Sequence, residues 1–167
     1  IWKKSLRYQP LTLTTLASLV PSDVPAEVTL VDEGIHELPA RVDADLVGIS
    51  AITGTAPRSY ELVDRLRRDG IPVVLGGVHP TLVPEEAQAH ADALVVGYAE
   101  ETWPRLLRDF ARGEMRPRYD EGPSLSLANL PFPRRDLLPA SLYTVAHTLE
   151  ATRGCTHKCA FCVVPSA

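Results

Sequence analysis

A doubly wound α/β domain with a parallel sheet is predicted by three features of the sequence. Short apolar runs occur at residues 46–49, 72–75 and 93–96, helical patterns lie between them, and glycines stand where runs end. The runs lack polar alternation, the pattern of strands covered on both faces, and intervening helices require crossover connections of the right-handed kind. The 167 residues suffice for one such domain with a short extension and fall short of two full ones. A composition of 45% hydrophobic and 23% charged residues excludes a disordered chain. Seventeen basic against twenty-one acidic residues give a net charge of −4, so no global attraction to nucleic acid or anionic lipid is expected. The absence of an apolar run of membrane-spanning length and of a signal-peptide core points to a cytoplasmic chain without a membrane span.

The elements follow in order. Behind a basic start with Lys3, Lys4 and Arg7, Pro10 precedes Leu13, Leu16, Ala17 and Val20 at helical spacing, and Pro21 ends the helix. Residues 27–31, partly β-branched and bounded by Asp32 and Gly34, predict a strand. The strand at 46–49 leads through Ser50, Thr53, Gly54 and Thr55 to Pro57, a helix start, and that helix carries Leu62, Val63 and Leu66 as far as Gly70. The strand at 72–75 ends in Gly76 and Gly77, and residues 84–89 predict a short helix. After the strand at 93–96 and Gly97, one helical face carries Trp103, Leu106, Leu107 and Phe110 into the core until Gly113. Glu100 and Glu101 open that helix, where negative charge offsets the dipole. Residues 114–140, with Pro117, Pro123, Pro131, Pro133 and Pro139, predict a linker between a domain at 1–113 and the start of a second at 141–167. A strand over 143–151, with Val145 and Leu149, would lead into the cysteines, and the chain reads as a piece of a longer protein.

An open parallel sheet binds ligands beyond the carboxyl ends of its strands, where Asp32, Ser50, Gly76, Gly77 and Gly97 are found. Glycines there either serve the turns alone or let the backbone approach a ligand, and Ser50 and Thr53 supply hydrogen bonds. A large flat or tailed cofactor suits that arrangement. No G-x-G-x-x-G follows a strand and no Walker A sequence occurs, which disfavours a dinucleotide or a nucleoside triphosphate. His36, His79 and His90 are isolated; His79 lies nearest the crevice mouth, while His90, close to a helix end, is expected to face water.

All three cysteines, Cys155, Cys159 and Cys162, share one short loop, which favours metal chemistry over disulfide stapling. Zinc requires a fourth ligand that His157 reaches poorly from within the loop, whereas a cubane iron–sulfur cluster on three thiolates leaves one iron open. Cysteines without a metal are the third reading.

The segment Cys155, Thr156, His157, Lys158, Cys159, Ala160, Phe161, Cys162, preceded by Arg153 and Gly154, resembles the cluster motif of radical S-adenosylmethionine enzymes. The preceding part, from about Pro10 to Phe110, resembles the flavodoxin-like cobalamin-binding domain found ahead of the catalytic barrel in one branch of that superfamily. The matching pieces are Val31, Asp32 and Glu33; residues 44–50; residues 72–77 with His79; and residues 93–97 followed by Glu100 and Glu101. The resemblance implies a [4Fe-4S] cluster on Cys155, Cys159 and Cys162, S-adenosylmethionine at the open iron, and cobalamin held by Ser50, Thr53, Gly76, Gly77, His79, Gly97 and Glu100. It further implies a small-molecule substrate, an electron donor such as flavodoxin or ferredoxin, and methylation, cyclisation or oxidation at an unreactive carbon by the full protein, the present piece being inactive alone. The Asp-x-His-x-x-Gly motif of methionine-synthase-type domains is absent, since His36 lies four positions after Asp32, so no histidine is expected below cobalt. The family's first strand would precede Ile1, leaving a sheet edge open. A non-catalytic module for a corrinoid or another flat ligand, and a structural zinc domain, are the competing readings.

Overall fold

A computed structural model describes residues 8–120, 128, 130–151, 154–157 and 159–163. Lys3, Lys4, Arg7, Pro123, Arg153 and Lys158, named above, lie outside them. The element order is α1 (Leu11–Ser18), β1 (Val47–Ser50), a 3-10 turn (Thr53–Thr55), α2 (Ala56–Arg68), β2 (Val73–Gly76), α3 (Val78–Leu82), α4 (Pro84–His90), β3 (Ala93–Val96), α5 (Thr102–Ala111) and β4 (Arg118–Asp120). The four strands form one parallel sheet in the order β1-β2-β3-β4. Val47 pairs with Val73, Leu75 with Leu94, and Val95 with Tyr119.

Successive side chains of a strand point to opposite faces, and each face here has its own cover. Val73, Leu75 and Leu94 pack with Val63 and Leu66 of α2 and Ala87 of α4. Val74, Ala93 and Val95 pack with Leu106 and Leu107 of α5 and with Tyr119. Complete burial of a leucine such as Leu66, Leu75 or Leu106 stabilises by roughly 1.5–3 kcal/mol relative to exposure, so these two clusters hold the sheet in place. Tyr119 adds a polar anchor. Its hydroxyl donates to buried Asp109 of α5 at 2.9 Å and accepts from the Arg116 amide at 2.9 Å.

The doubly wound class is therefore observed, with differences in particular elements. Residues 27–31 form no strand and pair with none of the four strands of the sheet, because β propensity by itself supplies no partner. The strand expected over 143–151 reduces to one bridge, Val145 with Tyr8, and Leu149 stays 81% exposed. Conversely, β4 falls within the proline-rich interval, so the sheet runs past Gly113. The strand predicted at 46–49 is shifted to end on Ser50, and its alternating half-exposure contrasts with the buried β2 and β3 because β1 is an edge strand. No helix among the described residues is long and apolar enough to cross a membrane.

The interval between the sheet and the cysteines is strapped to the N-terminal segment. Buried Gln9 donates its side-chain amide to the carbonyls of Arg135 and Leu138 at 3.1 and 3.0 Å. The Gln9 amide donates to Val145 O at 3.0 Å, and the Arg134 amide to Thr14 O at 2.8 Å.

Candidate cofactor crevice and cysteine loop

The strands point their carboxyl ends at Ser50, Gly76 and Gly97, and the segment that follows β2 braces the other two loops. The Ala51 amide donates to Gly76 O at 2.9 Å, and the His79 amide donates to Ala51 O at 3.0 Å. Between them Gly77 has φ +96° and ψ −170°, a conformation reserved almost entirely for glycine. A Cβ on Gly77 would stand 2.8 Å from Ala51 O, 2.9 Å from Ser50 Oγ and 3.0 Å from Ala51 N. The close approach of these two loops thus depends on a missing side chain. Thr81, one turn along α3, donates its hydroxyl to Gly77 O at 2.8 Å and accepts the Gly97 amide at 3.0 Å. Gly97 itself has φ +81°. One short helix therefore pins all three loop ends, and the space above β2 and β3 is bordered by backbone.

His79 is buried beneath this border. Its Nε2 lies 2.9 Å from the Tyr60 hydroxyl, which donates to Glu86 at 3.1 Å, and its Nδ1 lies 3.4 Å from Thr53 Oγ1. Burial, followed by the Glu86 hydrogen bond, pushes the Tyr60 hydroxyl up to about 12. His90, expected in water, is half-buried and stacks on Tyr60 with ring centroids 3.9 Å apart. His36 is exposed.

Of the residues singled out in sequence, Ser50, Gly76, Gly77, Thr53 and His79 come together directly, and Thr81 joins Gly97 to them. Thr81 was not legible as a site residue; a hydroxyl four positions after a strand-end glycine on a helical turn is the signal that points to it. Ile52, 58% exposed beside Thr53, is a further residue the sequence did not mark. Glu100 is buried just ahead of α5, and Glu101 is the N-cap residue, at the helix end where negative charge offsets the dipole, without a side-chain capping bond. Trp103 packs on the second core cluster with its ring against Gly48, in line with core packing.

The rim carries ties to the rest of the chain. Arg58, in the first turn of α2, pairs with Glu33 at 2.9 Å and holds its carboxyl below the usual carboxylate range, which fixes residues 32–33 at the carboxyl end of the sheet. Asp32 accepts the Gly34 amide at 2.8 Å and the Tyr143 hydroxyl at 3.1 Å. The strap that leads to the cysteines is thereby held at the crevice end.

Cys155, Cys159 and Cys162 carry free thiols, the first two exposed. The Cys162 amide donates to Cys159 O at 3.0 Å, and the His157 amide reaches Cys155 Sγ at 3.4 Å. Among the described residues no group of three or more His, Cys, Asp or Glu side chains is gathered to hold a metal ion, so the turn brings the cysteines to one loop without converging their sulfurs.

Comparison with known proteins matches residues 16–107 to the B12 binding domain. The chain is 39% identical over 165 residues to a bacteriochlorophyllide d C-8(2)-methyltransferase of Chlorobaculum tepidum, covering 93% of this chain and 36% of that protein. It is 30% identical over 163 residues to the bacteriochlorophyllide d C-12(1)-methyltransferase of the same organism, covering 94% and 35%. A ribosomal protein uS12 methylthiotransferase of Bordetella pertussis is 29% identical over 143 residues, covering 80% and 29%. The chain thus spans about a third of the length of these curated relatives. No solved structure gives a significant match. Since the matched residues 16–107 make up more than half of the 167, and carry the glycine-bordered crevice, the chain belongs to the B12 binding domain family.

Proposed function

We propose that the protein containing this chain is a cobalamin-dependent radical S-adenosylmethionine enzyme that methylates an unactivated carbon. The reading is carried by the brace at the carboxyl end of the sheet, where α3 seats Gly77 against Ser50 and Ala51 and holds Gly97 through Thr81. A flat macrocycle needs such a border, in which backbone rather than side chains meets the ring. Ser50, Gly76, Gly77 and Gly97 would border the corrin, Thr53 would hydrogen-bond its periphery with His79 supporting it from below, and Glu100 would close the crevice near the start of α5.

Three uncommitted thiols on one loop are a donor set suited to a four-iron cluster, with Cys155, Cys159 and Cys162 as ligands. When bound, the cluster and the corrinoid supply one-electron reduction and methyl carriage. The residues of this chain hold, orient and enclose. The strap fixed by Gln9 and by Tyr143 on Asp32 keeps the cysteine loop tethered to the crevice end, which favours a shared reaction chamber over an independent module. Two relatives named as bacteriochlorophyllide methyltransferases support methyl transfer over cyclisation or oxidation, and a flat tetrapyrrole as the substrate class. A ferredoxin or flavodoxin would supply the electron.

The test uses the intact protein, reconstituted without oxygen, and S-adenosylmethionine labelled on its methyl group. Parent protein should form deoxyadenosine and a labelled tetrapyrrole, and Cys159→Ala neither. Formation of deoxyadenosine by the variant at the parent rate overturns the reading.

A further inference from the structure

The hydrogen-bond chain beneath the crevice has a fixed direction. A carboxylate only accepts, so the single Tyr60 hydroxyl hydrogen goes to Glu86, 3.1 Å away. The Tyr60 oxygen must then accept from His79 Nε2 at 2.9 Å, which places the imidazole hydrogen on Nε2. Glu86 Oε1, 3.6 Å from the same nitrogen, favours that tautomer too. In its neutral form that tautomer of His79 is left with an accepting Nδ1, and the contact to Thr53 Oγ1 at 3.4 Å then closes only if the threonine hydroxyl donates. With its hydrogen turned inward, exposed Thr53 presents lone pairs to the crevice.

We infer that Thr53 is a fixed hydrogen-bond acceptor, positioned through His79, Tyr60 and Glu86, and that it selects a primary carboxamide N–H on the ligand over a carboxylate. The inference rests on the cobalamin reading and deepens it, because the corrin periphery carries primary carboxamides. His79 is thus a positioning residue: it is buried, both ring nitrogens are engaged within the protein, and its effect on the ligand passes through Thr53. A threonine free to rotate would instead donate to a carboxylate and tolerate the exchange.

The probes are hydroxocobalamin and the three cobalamin monocarboxylic acids in which one peripheral propionamide is hydrolysed, titrated against the intact protein by absorption. The parent should bind one of the three acids at least about tenfold more weakly than hydroxocobalamin, the cost of turning a donor into a second acceptor against Thr53. Thr53→Ser should keep that ratio. In His79→Leu, and in the double variant Tyr60→Phe with Glu86→Gln, which leaves the imidazole untouched but removes what fixes its tautomer, the ratio should fall below about threefold, whatever the change in hydroxocobalamin affinity. A merely structural role would weaken all four ligands together and leave the ratio unchanged, and that result overturns the inference. Equal binding of all four by the parent overturns it as well. Failure of the parent to bind hydroxocobalamin overturns the cobalamin reading itself and this inference with it.

Discussion

Replacing Gly77 with alanine tests the brace directly. The residue sits at φ +96° and ψ −170°, a region that costs an L-residue about 1–3 kcal/mol. The new methyl would also lie 2.8 Å from Ala51 O and 3.0 Å from Ala51 N, backbone atoms of the loop that follows β1, which yield less readily than a side-chain tip. Overpacking of that kind adds about 1–3 kcal/mol, so Gly77→Ala should cost roughly 2–6 kcal/mol in all. For a chain of this size the melting temperature should drop by roughly 4–24 °C. Gly70→Ala is the control: φ is +81°, but nothing lies within 4 Å of the added Cβ, so only a backbone cost of about 1–2 kcal/mol applies. The assay is thermal unfolding of both variants in parallel, followed by cobalamin titration of whatever remains folded. A Gly77→Ala protein that melts with Gly70→Ala and binds cobalamin like the parent would refute the argument that loop contact depends on this glycine.

Further outcomes follow from other contacts. Thr81→Val should leave the Gly97 amide unpaired, while Gly77 O keeps the Thr81 backbone amide at 3.2 Å, costing about 1–3 kcal/mol and speeding exchange of the Gly97 amide, with Thr81→Ser close to the parent. Tyr60 is raised to about 12 from an ordinary value of about 10, so the stability it contributes is complete below about pH 10 and is lost as pH climbs toward 12. Absorbance titration should show late-ionising tyrosines, Tyr119 being raised by burial as well, and Tyr60→Phe should remove one of them. Gln9→Leu removes two hydrogen bonds to the strap, the one to Leu138 O buried, and should accelerate proteolysis within residues 130–145 while the α2 and α5 cores keep their exchange protection.

The sheet was legible where burial on both faces leaves a continuous apolar signature, as at Val73, Val74 and Leu75 or Ala93, Leu94 and Val95. It was illegible at β4, where one buried tyrosine stands between Arg118 and Asp120 and no run of apolar residues announces a strand. Residues 27–31 and 143–151 mislead in the opposite direction, since strand-favouring composition describes a surface that fits a sheet and says nothing about whether a neighbour is there. In the crevice, the glycines were readable because strand ends demand them. The brace was not: α3 is five residues long with Pro80 inside it, and the double role of Thr81 exists only once Gly77 and Gly97 are side by side. The same holds for His79, whose burial and inward-facing bonds depend on Tyr60, nineteen positions earlier. Cysteine spacing places the three thiols in one loop, whereas the arrangement of their sulfurs, which are not gathered among the described residues, is not encoded by spacing.

The most direct measurement is the composition of the intact protein purified without oxygen, with cobalt, iron, sulfide and zinc quantified on one sample. The account predicts about one cobalt, as cobalamin, with about four irons and four sulfides per chain. Stoichiometric zinc with neither iron nor cobalt would contradict it.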